Sequence, residues 1–184
     1  MAIYNTDSDS ANTAVRAFLT KLGEHYLERR FNTGSGKGKR DWLRIKESVF
    51  ENRCAYCGIT DVKLSMEHLV MFNRAECGLH HPGNIVPCCT PCNKRARDAE
   101  GRYVDWKSHL ILRSKPTADS NSKYQERLDR ILRHIADEGY PNLSSDEKKA
   151  IEILAQSLYD SVKAESSKAL NIYSHLDQAL IQNR

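Results

Sequence analysis

Cys54-Ala-Tyr-Cys57 and Cys89-Thr-Pro-Cys92 frame the stretch on which the fold turns, with Glu67-His68-Leu69-Val70 and Gly83-Asn84-Ile85-Val86-Pro87 between them. Thiolates two residues apart can grip one ion from a tight turn, and two such pairs complete a closed tetrahedral site. Thirty-one residues separate the pairs, so this is a discontinuous site that folding must assemble. Gly58, directly after Cys57, suits the turn that such a knuckle needs. All six cysteines fall between positions 54 and 92, whereas a disulfide scaffold would spread them through a short chain. The pattern predicts one structural zinc on Cys54, Cys57, Cys89 and Cys92. Cys88 would pair with Cys92 at a poorer spacing, which leaves Cys88 and Cys77 without an assigned role.

Around the cysteines, the apolar runs Leu64–Met71 and Asn84–Pro87 read as two short strands joined by a long loop. Pro91 stands where helices commonly begin, so the reading continues into a helix over Cys92-Asn93-Lys94-Arg95-Ala96-Arg97. On the N-terminal side, Val15, Phe18, Leu19, Leu22 and Tyr26 recur at helical spacing from Ala11 to about Arg30. Asn32 to Arg40 is rich in Gly and Lys, either a flexible linker or a basic arm for a phosphate backbone. A phosphate-binding P-loop is excluded, because Gly34 and Gly38 enclose three residues where that motif needs four. Asp41 can cap a second helix with Trp42, Ile45 and Val49 on one face.

On the C-terminal side, Leu128, Ile131, Leu132 and Ile135 mark a helix stopped by Gly139 and Pro141. Ser144-Ser145-Asp146-Glu147 has the form of a capping box. Behind it Ile151, Leu154, Leu158 and Val162 form an apolar stripe, which Leu170, Tyr173, Leu176 and Leu180 extend past a break near Ser166-Ser167. Three regions follow: helices and the basic loop over 1–49, the cysteine-bearing core over 50–112, and a helical region over 113–184. The fold class is α+β, mainly α, with a small zinc-stapled core.

The 184 residues carry a net charge of +4, and it is unevenly placed. Residues 31–53 carry +3 and residues 94–115 carry +4, while the stretches 54–93 and 116–184 are slightly acidic. Two basic blocks flanking a neutral centre suit a polyanion such as nucleic acid, and equally suit solvated helices. No apolar run reaches the roughly 18–20 residues of a membrane span, and the first residues lack the basic start and apolar stretch of a signal peptide. A soluble cytoplasmic protein is expected.

Taken in order, Cys54-x-x-Cys57, Glu67-His68, Asn84 and Cys89-x-x-Cys92-Asn93-Lys94 resemble the zinc-knuckle branch of the HNH endonucleases. The likeness covers residues 50–100. It implies a ββα-metal core, a two-stranded hairpin crossed by a helix, and hydrolysis of DNA phosphodiesters to 5′-phosphate and 3′-hydroxyl ends. By that resemblance His68 is the general base, and Asn84 braces the loop and orients it. Glu67 and Asn93 would hold one catalytic Mg²⁺ or Mn²⁺, while Lys94, Arg95 and Arg97 on the helix would meet DNA. Hard oxygen donors suit magnesium and thiolates suit zinc, so the two metals sort by ligand type. Two departures stand out: Glu67 occupies a place usually held by Asp, and Met71 one commonly held by Pro.

Strand alternation would send Glu67 and His68 to opposite faces, so a bend or bulge is expected to bring both to one cleft. The enzyme class implied is a restriction or anti-phage defence nuclease, with defence-system proteins as partners. A homodimer through the C-terminal helices would supply the second active site that double-strand cutting needs. The competing reading is a zinc-stabilised module that binds DNA or protein without cutting. A zinc deaminase is excluded, because that chemistry needs His-x-Glu and Pro-Cys-x-x-Cys, and here Glu67 precedes His68 and Pro87 is out of phase.

Overall fold

The computed structural model describes residues 6–114 and 120–181. They are mainly helical, with one two-stranded sheet. The elements run α1 (Asp7–Leu27), α2 (Gly36–Arg44), a wider turn (Ile45–Val49), β1 (Leu64–His68), a short 3₁₀ turn (Pro82–Asn84), β2 (Ile85–Cys89), α3 (Trp106–Arg113), α4 (Ser120–Asp137) and α5 (Ser145–Leu180). This is the α+β class expected. Among the described residues no helix is long and apolar enough to cross a membrane. The described residues form two compact units, one within 1–19, 73–77 and 143–184, the other within 20–72 and 78–142.

The first unit is helical. Ala11, Val15 and Leu19 of α1 and Ile151 and Ala155 of α5 are buried. The Tyr159 hydroxyl donates to Ser8 Oγ and the Ser167 hydroxyl to Asp7. The capping box is present as the sequence predicts: Ser144 Oγ accepts from Glu147 N, and Glu147 Oε2 accepts from Ser144 N. The stripe behind it differs from expectation. Ile151 is buried but Leu154 is 55% exposed, and α5 continues through Ser166-Ser167 without a break. Residues 115–119, which include Lys115 of the basic block and part of the expected C-terminal region, lie outside the described residues.

The second unit carries the hairpin. β1 and β2 pair antiparallel in regular register from Leu64↔Cys89 to His68↔Ile85. Every residue of β2 is buried, so both of its faces lie inside the core. Phe31, Ile45, Phe50, Tyr56, Leu69, Ile85, Val86, Leu110 and Ile131 make up that core. The Gly/Lys stretch is partly helical rather than a loop, since α2 begins at Gly36, not at Asp41. Arg29 pairs with Asp41 at 2.9 Å, and Ile45 is fully buried. Tertiary packing therefore overrides the poor helix propensity of Gly-Lys-Gly.

A second correction falls directly after β2. The helix expected over Cys92–Arg97 is absent, and the next helix is α3. The cause is His109 of α3, a residue the sequence reading did not single out. In a helix Ala96 N–H would donate to Cys92 C=O. Instead Ala96 N donates to His109 Nδ1 at 3.1 Å, and His109 Nε2 donates to Cys92 O at 2.8 Å. The imidazole is spliced into the bond that would close the first helical turn. Asp105 caps α3 by accepting from Lys107 N and Ser108 N.

Candidate functional site

The thiolates form the best-defined site. Gly58 has φ +74°, the left-handed conformation that closes the first knuckle, and its N–H donates to Cys54 O at 2.8 Å. In the second knuckle Cys92 N and Asn93 N both donate to Cys89 O. One sulfur each from Cys54, Cys57, Cys89 and Cys92 lies within 4.8 Å of the others. Zn–S bonds of about 2.3 Å at tetrahedral angles put neighbouring sulfurs about 3.8 Å apart, and Cys57 and Cys89 stand at 3.6 Å. The donor set fits a structural metal such as zinc. The Cys54 thiol is held well below its usual range by the Cys88 and Cys92 thiols and by the N–H groups of Cys57 and Cys89. Cys88, although buried, is outside the group.

At the other end of the hairpin Asn84 organises the long loop. Its Oδ1 accepts from Val70 N at 2.8 Å, and its Nδ2 donates to Val70 O and Leu79 O at 2.9 and 2.8 Å. His134 of α4 reaches the same turn, with Nε2 at 3.1 and 3.0 Å from Pro82 O and Ile85 O. His81 Nδ1 accepts from Gly83 N. Asn84 is thus spent on the backbone on either side of the loop, which fixes where β1 ends and therefore where His68 stands.

His68 and Glu67 do not converge. β1 runs through both without a bulge, so alternation holds and the expected bend is absent. His68 Nε2 lies 3.0 Å from His80 Nδ1, and its ring stacks on Phe72 at 4.8 Å and 18°. Burial, then the neighbouring His80, pushes the His68 pKa down to about 3. Glu67 instead meets Arg95, whose Nη2 donates to Glu67 Oε1 at 2.8 Å, His68 O at 2.9 Å and Leu69 O at 3.1 Å. Burial raises the Glu67 pKa, and the Arg95 charge opposes that rise.

Arg95 is only 7% exposed. It is not available to DNA as expected; it neutralises Glu67 from inside. Asn93 donates through Nδ2 to Ser65 Oγ at 2.9 Å, and Ser65 shares a strand face with Glu67. With Oε1 held by the guanidinium, Glu67 would offer a divalent cation only Oε2, beside the Arg95 charge. Of the remaining expected DNA contacts, Lys94 is exposed. Arg97 is exposed as well, with its guanidinium over the Tyr103 ring at 3.9 Å.

Comparisons of this chain with protein-family models, with curated proteins and with solved structures return no match.

Three buried histidines carry a testable consequence. His81, His109 and His134 are buried, and burial lowers each pKa, His81 to about 4. Neutral in the fold, they take up protons near pH 6.5 once the chain unfolds. Their contribution to stability is therefore present above about pH 6.5 and lost as pH falls below it, by up to about 1.4 kcal/mol per group per pH unit. Urea midpoints at pH 7.5 and 5.5, with metal content checked at both, should fall on acidification. A flat profile would contradict neutral buried imidazoles.

Proposed function

We propose that the chain is an HNH-type endonuclease that hydrolyses DNA phosphodiesters, with His68 as general base. The observation that carries this reading is the state of His68. It is a neutral imidazole at the last residue of β1, restrained through Nε2, with no hydrogen bond to Nδ1 among the described residues. A base must be unprotonated near pH 7 to take a proton from water, and a pKa near 3 secures that while leaving a weak base. A phosphate brought alongside would raise the pKa toward the working range, because a nearby negative charge favours the imidazolium.

Exposed cations add the means to hold a polyanion. Lys37, Lys39 and Arg40 sit in the first turns of α2, and no ion pair engages them among the described residues. They open the helix at its positive end, where cations are unfavourable unless an anion joins them. Contacts of this sort give affinity without base readout, and their strength falls steeply with salt. A second copy, docked through the exposed Leu170, Tyr173, Leu176 and Leu180 of α5, would provide the paired sites for double-strand cutting.

One observation favours a second reading, a zinc-stapled module that binds without cutting: Glu67 is committed to Arg95. Supercoiled plasmid incubated with the zinc-loaded protein in Mg²⁺, Mn²⁺ or chelator separates the two. The nuclease reading expects nicked or linear product from the wild type and a roughly 10²–10⁴-fold slower reaction from His68→Ala. If both proteins retard DNA and neither cuts, the binding module stands. Equal cutting by both would move the chemistry away from His68.

A further inference from the structure

We propose that His80 is a positioning residue that sets the tautomer of His68, keeping the proton on His68 Nε2 and leaving Nδ1 as the atom that accepts a proton from water. The choice between the two tautomers rests on the endonuclease reading, which needs a bare nitrogen on His68; the contact between the two rings does not. Two imidazole nitrogens 3.0 Å apart share one proton when both rings are neutral. If His80 Nδ1 carried it, His68 would accept at Nε2 and hold its own proton on Nδ1, and the ring would have no free lone pair. If His68 Nε2 carries it, His80 Nδ1 is the acceptor and His68 Nδ1 is free.

The surroundings make His80 a fixed reference for this choice. Phe31 lies 4.9 Å from its ring and Phe72 lies 5.6 Å away. Its backbone is pressed against α1 at Gly23, where an added Cβ would come within 2.3 Å of His80 O. His68 is clamped on the other side by Phe72. With aromatic rings packed against both imidazoles, the hydrogen bond made by one nitrogen of His68 dictates what the other can do.

The test uses full-length, zinc-loaded protein labelled with ¹⁵N at histidine. Long-range ¹H–¹⁵N correlation in the wild type is expected to show His68 protonated at Nε2 and bare at Nδ1. A wild-type His68 protonated at Nδ1 overturns the proposal whether or not the protein cuts DNA. In single-turnover cleavage, His80→Asn keeps an acceptor oxygen where Nδ1 was, and should retain most of the activity. His80→Leu removes the acceptor at similar size and should lose roughly 10–100-fold in rate at unchanged DNA affinity. Equal rates for the Asn and Leu variants, both matched to wild type in melting and zinc content, would also overturn it. A wild type that cuts nothing under any cation removes the endonuclease reading and leaves the tautomer to be decided by the spectrum.

Discussion

Cys92→Ser is expected to abolish stoichiometric zinc binding and to cost the hairpin-bearing unit more than about 4 kcal/mol. Cys92 is 3% exposed and its sulfur closes the four-donor group. Serine is a poor substitute for a thiolate, and three thiolates leave a tetrahedral ion with an open position. The loss spreads beyond the metal. Cys89 N lies 3.4 Å from Cys54 Sγ, and Ala55 N donates to Pro87 O at 2.8 Å, so the knuckles also hold each other and the end of β2. A two-stranded hairpin has too little apolar area to persist alone. Metal analysis and urea denaturation check this. Cys88→Ser serves as the contrast: Cys88 is equally buried but outside the donor group, so it should retain one zinc per chain. A Cys92→Ser protein that keeps its zinc would refute the assignment of the site.

Arg95→Met should be the second large effect, with a loss of about 3–5 kcal/mol at pH 8. The Arg95 side chain is 2% exposed and that of Glu67 12%, so deleting the cation strands a carboxylate that water barely reaches. The guanidinium also ties down His68 O and Leu69 O, where β1 ends. The pH dependence has a definite sign. Burial already holds the folded pKa of Glu67 above its ordinary value, and removing Arg95 raises it further. Stability lost for this reason is present below the unfolded carboxyl pKa and disappears as pH rises through the folded one. The gap between variant and wild type should therefore be wider at pH 8 than at pH 5; the His81 and His134 titrations cancel in it, while loss of the Arg95 charge beside His109 adds in the same direction. Denaturant melts at both values measure it. A constant or reversed gap would mean that Glu67 is not the group left unpaired.

Both results bear on how much could be read from residues alone. The knuckles were legible because Cys-x-x-Cys spacing is a local property of a turn. The strands were legible because short apolar runs bounded by Gly, Pro and Asn have few alternatives, and the Ser144–Glu147 box because its two hydrogen bonds span only three residues. The expected helix at Cys92 failed for a non-local reason. Nothing near Pro91 announces that an imidazole 17 residues later will take the Cys92 carbonyl. Arg95 misled in the same way. In Asn-Lys-Arg-Ala-Arg it reads as a surface cation, and it is Glu67 and the carbonyls at the end of β1, distant in sequence, that draw it inward.

The candidate site was legible in its parts and not in its geometry. Glu67, His68, Asn84 and Asn93 lie in or beside the hairpin, yet regular alternation in β1 parts Glu67 from His68. A bulge cannot be read from Ser-Met-Glu-His, because it depends on how the partner strand is held. The partner of His68 is His80, from the long loop between the strands. Such pairings are set by the path of the loop, which Asn84 fixes from both sides.

The most direct test of the account compares single-turnover cleavage of one defined DNA duplex by wild type and His68→Ala, matched for zinc content and melting temperature. The rate of the variant is expected to be lower by a factor of at least about 10², with DNA affinity unchanged. Equal rates in two equally folded, equally metallated proteins would contradict it.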